Sequence, residues 1–387
     1  MEKYYYFYDL NEVLIDRYPA KIASEILSVN SKSKFMFIFS EQYNNTEPIN
    51  TPDGSKFIFS GSLSIKELNK IVSQYPPISL TTIAQRIPDM WMLSYFNQLG
   101  LPTFVVQHGL WSDRLERISL ISLISRKFSK FINYLKHVSS ICRMNKIPLI
   151  PTLIEFYKFL LKENINIPNS KYLRINVLRA KNAFIFDETW DKYYTNKYGY
   201  PKKSLNYIGN PDFMLIKDKK LSEKENACCY LCQSLVEDGR IGLKTFKLFL
   251  EILNRVTKAS RSKLYIKLHP RSRPEIYNIF LENNNVILTH DLPICKYYIA
   301  HYTGLLATVK LITDNILIWN FSNHHVPEYF FKFSLIVTNN ENEMLDFLQR
   351  KLITKSNSSF TSRNLDMIHN YATPIKIIAE NIIKLSR

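Results

Sequence analysis

Lys263-Leu-Tyr-Ile-Lys-Leu-His-Pro-Arg271 is the stretch whose reading decides the fold. Its apolar run has the length and near-continuous apolarity of a strand buried on both faces of a parallel sheet. Proline offers no N–H to a ladder, so the strand must stop before Pro270. Ligands of open α/β sheets bind just beyond the carboxyl ends of the strands, which puts Lys267, His269, Pro270 and Arg271 where a ligand is expected.

Similar runs lie outward from it in both directions. Downstream are Val286–Leu288, Tyr297–Ala300, Ile316–Trp319 and Ser334–Val337. Upstream is Ala227–Cys232, with a long helical pattern predicted between it and Lys263 over Ile241–Val256. The same alternation runs through Tyr4–Tyr8, Phe35–Phe39, Lys56–Phe59, Ser79–Ile83, Thr103–Gln107, Ala183–Phe186 and Leu205–Ile208. Strands alternating with helices predict an α/β protein. We expect two Rossmann-like, doubly wound domains in series, 1–216 and 217–387, facing a central cleft and joined near the lysine-rich stretch Lys217–Asn226.

At 387 residues the chain has room for two cores. The 51 Lys and Arg against 34 Asp and Glu leave a formal charge of +17, which points to polyanionic partners such as nucleic acid, an anionic membrane surface, an acidic polymer or a nucleotide. No zinc-finger spacing, ATPase-type phosphate loop or nucleic-acid fold signature is present, so nucleic acid is not an expected partner. Within the first domain, Arg114–Lys162 interleaves Leu, Ile and Phe with Arg117, Arg126, Lys127, Lys130, Lys136, Arg143 and Lys146. It reads as a basic helical insertion of amphipathic helices, either packed on its own domain, touching anionic lipid, or both.

The five cysteines are odd in number and sit in apolar contexts, as reduced thiols of a cytoplasmic protein do. Strand alternation sends Cys229 and Cys232 to different faces, so no metal site is expected there. The N-terminal residues lack a signal-peptide core, and no apolar run approaches the ~20 residues that span a bilayer. We therefore expect the chain on the inner side of the membrane, cytoplasmic or peripheral on the inner membrane.

Further strand ends carry the other candidates. In Val105-Val106-Gln107-His108-Gly109 a glycine turn would expose His108, either as a base for an acceptor hydroxyl or as a turn cap. Asp113 can orient that histidine or serve as the base itself. Lys267, His269 and Arg271 offer charge-assisted hydrogen bonds to a departing phosphate. In Ala300-His301-Tyr302-Thr303-Gly304 a strand yields to a helix-like run, and its start is a potential anion site with Thr303 and Gly304. Gly209 and Asn210 close the first domain toward the cleft, while Gln233, Glu237, Asp238 and Gly239 follow the first strand of the second domain. Glu237 and Asp238 read equally as a simple acidic turn.

With these segments in hand, the second half resembles the bacterial sialyltransferase and polysialyltransferase group. There a His-Pro motif and a later hydroxyl motif hold the phosphate of CMP-sialic acid. The resemblance maps His269 and Pro270 onto the first and Thr303 onto the second. It implies a GT-B fold, an inverting glycosyltransferase, a CMP-activated donor as substrate, and no metal or other cofactor. The first domain would then take the glycan or glycolipid acceptor and the second the nucleotide-sugar donor. That group's acidic-acidic-Gly motif carries the base in the acceptor domain, whereas Glu237-Asp238-Gly239 falls in the other domain here. The chain is also similar to the CDP-glycerol glycerophosphotransferase family, in which a His-Gly and a later His-Pro segment supply base and phosphate ligand. The leading expectation is transfer of sialic acid or a related nonulosonic acid to capsule, O-antigen or lipooligosaccharide. The alternatives are a CDP-glycerol or UDP-sugar transferase, or a non-catalytic basic protein that binds membrane or glycan.

Overall fold

The structure is a computed structural model. It describes residues 2–9, 15, 18–39, 51–59, 64–107, 109, 120–161, 175–212, 216, 225–237, 239–269, 271–280, 283–321, 328–349 and 374–386. The chain divides into two compact units, one of Met1–His108, Ser119–Pro211 and Ala372–Arg387, the other of Gly109–Ile118 and Asp212–Tyr371.

The first unit is built on a seven-stranded sheet in the order β3-β2-β1-β4-β5-β6-β7. Its strands are β1 (Tyr4–Asp9), β2 (Lys34–Phe39), β3 (Lys56–Phe59), β4 (Pro77–Thr82), β5 (Thr103–Val106), β6 (Asn182–Ile185) and β7 (Leu205–Tyr207), and every pairing is parallel. Sandwiched between neighbours, β1 is buried along its whole length, which is why Tyr and Phe fill it without alternation. Phe7 stacks on Phe37 at 5.3 Å and Phe37 on Phe57 at 5.6 Å, a ladder that ties three strands together on one face.

The helices follow local signals. Pro19 opens the Pro19–Val29 helix in its first turn. A Ser64–Glu67 capping box opens Ile65–Gln74. The predicted basic insertion is a helical hairpin, Leu120–Asn145 followed by Leu149–Leu161, packed against the Ile87–Gln98 helix; the expected start, 114–119, lies outside the described residues.

The second unit holds a six-stranded parallel sheet in the order β10-β9-β8-β11-β12-β13. Its strands are β8 (Glu225–Leu231), β9 (Lys263–Lys267), β10 (Val286–Thr289), β11 (Cys295–Ala300), β12 (Ile316–Trp319) and β13 (Ile336–Thr338). The long helix runs Leu243–Ser260, a little later than predicted, and buries Phe246, Phe249, Leu250, Leu253 and Val256, the 3.6-residue stripe that faces a sheet. All five cysteines are buried, and burial raises the thiols of Cys228, Cys229 and Cys232.

The expected boundary at 216/217 needs correction, because the contacts divide at Pro211/Asp212 and the last helix returns to the first unit. That helix, Pro374–Leu385, packs on Pro19–Val29 and buries Ile375, Ile378, Ala379 and Ile382. Burial of its apolar face, which needs a partner surface, decides where it goes. Both sheets have the doubly wound order in which the chain reverses direction beside the first strand, so each has a switch point, between β1 and β4 and between β8 and β11.

Candidate functional site

At the switch point of the second sheet, the loops after β8, β9 and β11 are laced together by side chains. Arg271 Nη2 donates to Ser234 Oγ at 2.9 Å, and the backbone N–H of Arg273 donates to Glu237 Oε1 at 2.9 Å, joining the β9 and β8 loops. Gln233 Nε2 donates to the carbonyl of Tyr302 at 2.6 Å, joining the β8 and β11 loops across the switch point. Gln233 Oε1 and the Tyr302 hydroxyl are buried without a hydrogen-bond partner. Such orphaned groups are uncommon in folded proteins, and each costs about 1–3 kcal/mol unless something pairs with it.

The β9 end is a self-supporting turn. The His269 N–H donates to Ser272 Oγ at 3.1 Å, and the Ser272 N–H returns to the His269 carbonyl at 2.8 Å. Nδ1 of His269 accepts from the Arg271 N–H at 3.1 Å. A neutral ring in this position carries its proton on Nε2, the tautomer that donates to a phosphate oxygen. Lys267, half-buried at the last strand position, lies one alternation behind His269. Lys267, His269 and Arg271 thus lie together at the carboxyl end of one strand, with Arg271 tied to Ser234; Pro270 lies outside the described residues.

The remaining predicted residues divide sharply. Glu237 and Gly239 belong to a turn in which the Gly239 N–H donates to the Val236 carbonyl at 2.9 Å and Gly239 has φ +59°, the left-handed region that favours glycine. Asp238 lies outside the described residues. The expected anion site at a helix start needs correction. The helix after Gly304 is a single turn, Leu305–Val309, and its first amides are already engaged by Thr303 Oγ1, the Thr303 carbonyl and the Gly304 carbonyl. One turn aligns few peptide dipoles, so Thr303 contributes at most its own hydroxyl.

His301, beside it, is a core residue. Nδ1 donates to the Trp319 carbonyl at 3.0 Å, Nε2 accepts from the Tyr230 hydroxyl at 2.8 Å, and the ring stacks on Phe321 at 4.5 Å. Burial holds its pKa down to about 3, so it stays neutral.

His108 and Asp113 lie outside the described residues. Gln107 is buried, and its Oε1 accepts from the Phe186 N–H at 3.1 Å, a bond that pins β5 to β6. Gly109 lies at a bend with φ outside the left-handed region, and an added Cβ there would meet nothing within 4 Å. Gly209 does need its lack of side chain, with φ +76°, and its N–H donates to the Phe186 carbonyl at 2.9 Å. Asn210 beside it is buried.

A charged group that the motif reading passed over sits at the first sheet's switch point. Asp9, at the carboxyl end of β1, accepts from Arg86 Nη2 at 2.9 Å, and Asp89 takes Arg86 Nε at 2.7 Å. Both carboxylates are fully buried, while Arg86 keeps 29% of its side chain exposed. Burial works against the guanidinium's charge, but Asp89 and Asp9 hold it well above its ordinary range. The signal was present in the sequence, since Asp9 is the first charged residue at the end of the apolar run Tyr4–Tyr8.

No protein-family model and no curated protein sequence matches the chain. Solved structures do. The UDP-GlcNAc 2-epimerase of Methanocaldococcus jannaschii is similar with a TM-score of 0.55 at 12% identity, over 99% of either chain. The wall teichoic acid polymerase TagF, as a variant soaked with CDPG, matches with a TM-score of 0.53 at 8% identity, over 98% of this chain and 88% of that one. The glycotransferase of kitacinnamycin matches with a TM-score of 0.56 at 7% identity over 100% of both. The fold is GT-B. At these identities the likeness carries the arrangement of two parallel-sheet α/β domains, as the alternation of strands and helices predicted, and leaves donor and acceptor to the residues.

Proposed function

We propose that this chain is a glycosyltransferase that moves a sugar or sugar-like unit from a cytidine-nucleotide donor to a surface-glycan acceptor, with the second unit holding the donor phosphate. One observation carries the reading: Lys267, His269 and Arg271 share the carboxyl edge of β9, and Arg271 is tied to Ser234 beside the switch point of the sheet. As the bond from the donor's anomeric carbon to the phosphate oxygen breaks, negative charge gathers on that phosphate, and cations already in place stabilise it without reorganising. His108 or Asp113 takes the acceptor hydroxyl's proton as that oxygen forms the new bond to the anomeric carbon, giving inversion. Glu237 is engaged with the Arg273 backbone and serves the phosphate loop.

Support for cytidine comes from the His-Pro resemblance and from the likeness to TagF, whose structure was soaked with CDPG. CMP-activated sialic or related nonulosonic acid is the leading donor, since its carboxylate also suits a basic site, and CDP-glycerol is the next. A uridine donor has its own support in the epimerase, which has also been crystallised with UDP-GlcNAc and UDP. Thermal shift with CMP, CDP, UDP and GDP separates these readings, because a ligand at 100 times its Kd adds about 2.7 kcal/mol. Stabilisation by CMP or CDP above the others is the expected result. Preference for UDP moves the donor to a uridine sugar, and silence toward every nucleotide removes the transferase reading in favour of a non-catalytic basic binding protein.

A further inference from the structure

The helical hairpin of the first unit has two opposed faces. On the Leu120–Asn145 helix, His137, Val138 and Ile141 are buried, and the helix packs against Ile87–Gln98. On the other side of the same helix, Phe128, Ile132 and Leu135 recur at the i, i+4, i+7 spacing of one stripe and are 52%, 48% and 37% exposed. The Leu149–Leu161 helix repeats the pattern, burying Thr152 and Phe156 and leaving Ile150 and Ile154 exposed at 71% and 51%. The rings of Phe128 and Tyr157 meet edge-on at 6.3 Å across the hairpin, so the stripes run side by side. A contiguous apolar face of this kind on a protein surface marks an interaction site.

Charge selects the partner. The Leu120–Asn145 helix contains Arg126, Lys127, Lys130, Lys136 and Arg143 and no Asp or Glu. Lys136 and Arg143 in this helix and Lys146 just after it are exposed, in a chain whose formal charge is +17. No helix among the described residues is long and apolar enough to cross a membrane. Apolar side chains on a helix lying flat, flanked by cations, match a bilayer interface with anionic headgroups, where the stripe enters the acyl boundary and the cations meet phosphate.

We infer that the hairpin's outer face docks the protein on an anionic lipid surface, whichever donor the second unit binds. The full chain is to be sedimented with vesicles of phosphatidylcholine alone or mixed with phosphatidylglycerol, at low and high salt. Binding to the mixed vesicles, absent with phosphatidylcholine and weakened by salt, is expected. The double variant Ile132→Ser, Ile154→Ser, whose altered side chains are exposed, should bind at least about ten-fold more weakly at an unchanged Tm. Lys136→Glu with Arg143→Glu should do the same. In the unaltered chain, vesicles should slow amide exchange within 120–161. No binding at low salt, wild-type binding by both variants, or protection confined to other segments overturns the inference. So does a dimer in solution that the Ile132→Ser, Ile154→Ser variant turns into monomer, which would give the face to a second copy.

Discussion

Three histidines of this chain show how a residue's surroundings decide what it can do. His269 is half-buried at a strand end with Nδ1 engaged by its own loop, so it is placed to donate. His301 has both ring nitrogens bound inside the core, so neither is left to serve a ligand. His137 is buried beside Trp91 at 5.4 Å with neither nitrogen paired, and burial, with Lys136 nearby, lowers its pKa to about 4. Arg271→Ala should weaken nucleotide binding about ten-fold or more by calorimetry, since a hydrogen bond to a charged group contributes about 1.5–3 kcal/mol. His269→Ala should do likewise and also slow turnover. His108→Ala should reduce turnover by about 10²–10⁴-fold with nucleotide affinity retained. The buried histidines set a different expectation. Their folded pKa values lie below the ordinary 6.5, so the native state binds fewer protons than the unfolded chain. Stability is therefore full above about pH 6.5 and falls as pH drops toward 4 for His137 and 3 for His301. The slope approaches about 1.4 kcal/mol per pH unit for each histidine. His137→Phe should flatten it, read from Tm measured between pH 4 and 7.

Elements carry the next level. The strands were legible because parallel strands buried on both faces leave near-continuous apolar runs, and Lys56–Phe59 and Ile316–Trp319 fall where the sequence places them. Strand ends were less so, since β8 begins at Glu225 and β11 at Cys295, where tertiary pairing extends the ladder past the apolar run. The helix after Thr303 and Gly304 starts where the sequence places it but stops after one turn. The Asp9–Arg86–Asp89 group joins the end of β1 to the start of the Ile87–Gln98 helix. Arg86→Met should lower Tm markedly, because it leaves two buried carboxylates without their cation, a loss of about 3–5 kcal/mol. A smaller effect in Asp9→Asn, which keeps an oxygen acceptor, would locate the cost in the charge.

For the whole molecule, the last helix is a long-range staple within the first unit. Ending the chain at Tyr371 removes Ile375, Ile378 and Ile382 from a core in which they are at most 2% exposed. At about 1.5–3 kcal/mol for each buried side chain, the first unit should lose roughly 5 kcal/mol or more, while the second unit's response to nucleotide survives. Limited proteolysis with and without CMP would show this as early cleavage confined to the first unit.

By itself the sequence determined the α/β class, the strands of both sheets among the described residues, and the cations at the end of β9. Each rests on local chemistry: apolar runs, helical periodicity, and a proline that ends a strand. Only the tertiary structure decided that Ser234, Glu237, Arg271 and Arg273 interlock and that Arg86 serves both Asp9 and Asp89. It likewise decided that His301 is sealed in the core and that the final helix returns to the first unit. Those outcomes depend on strand order and on burial between segments far apart in the chain, and a pattern read along one sequence does not encode which distant surfaces will meet.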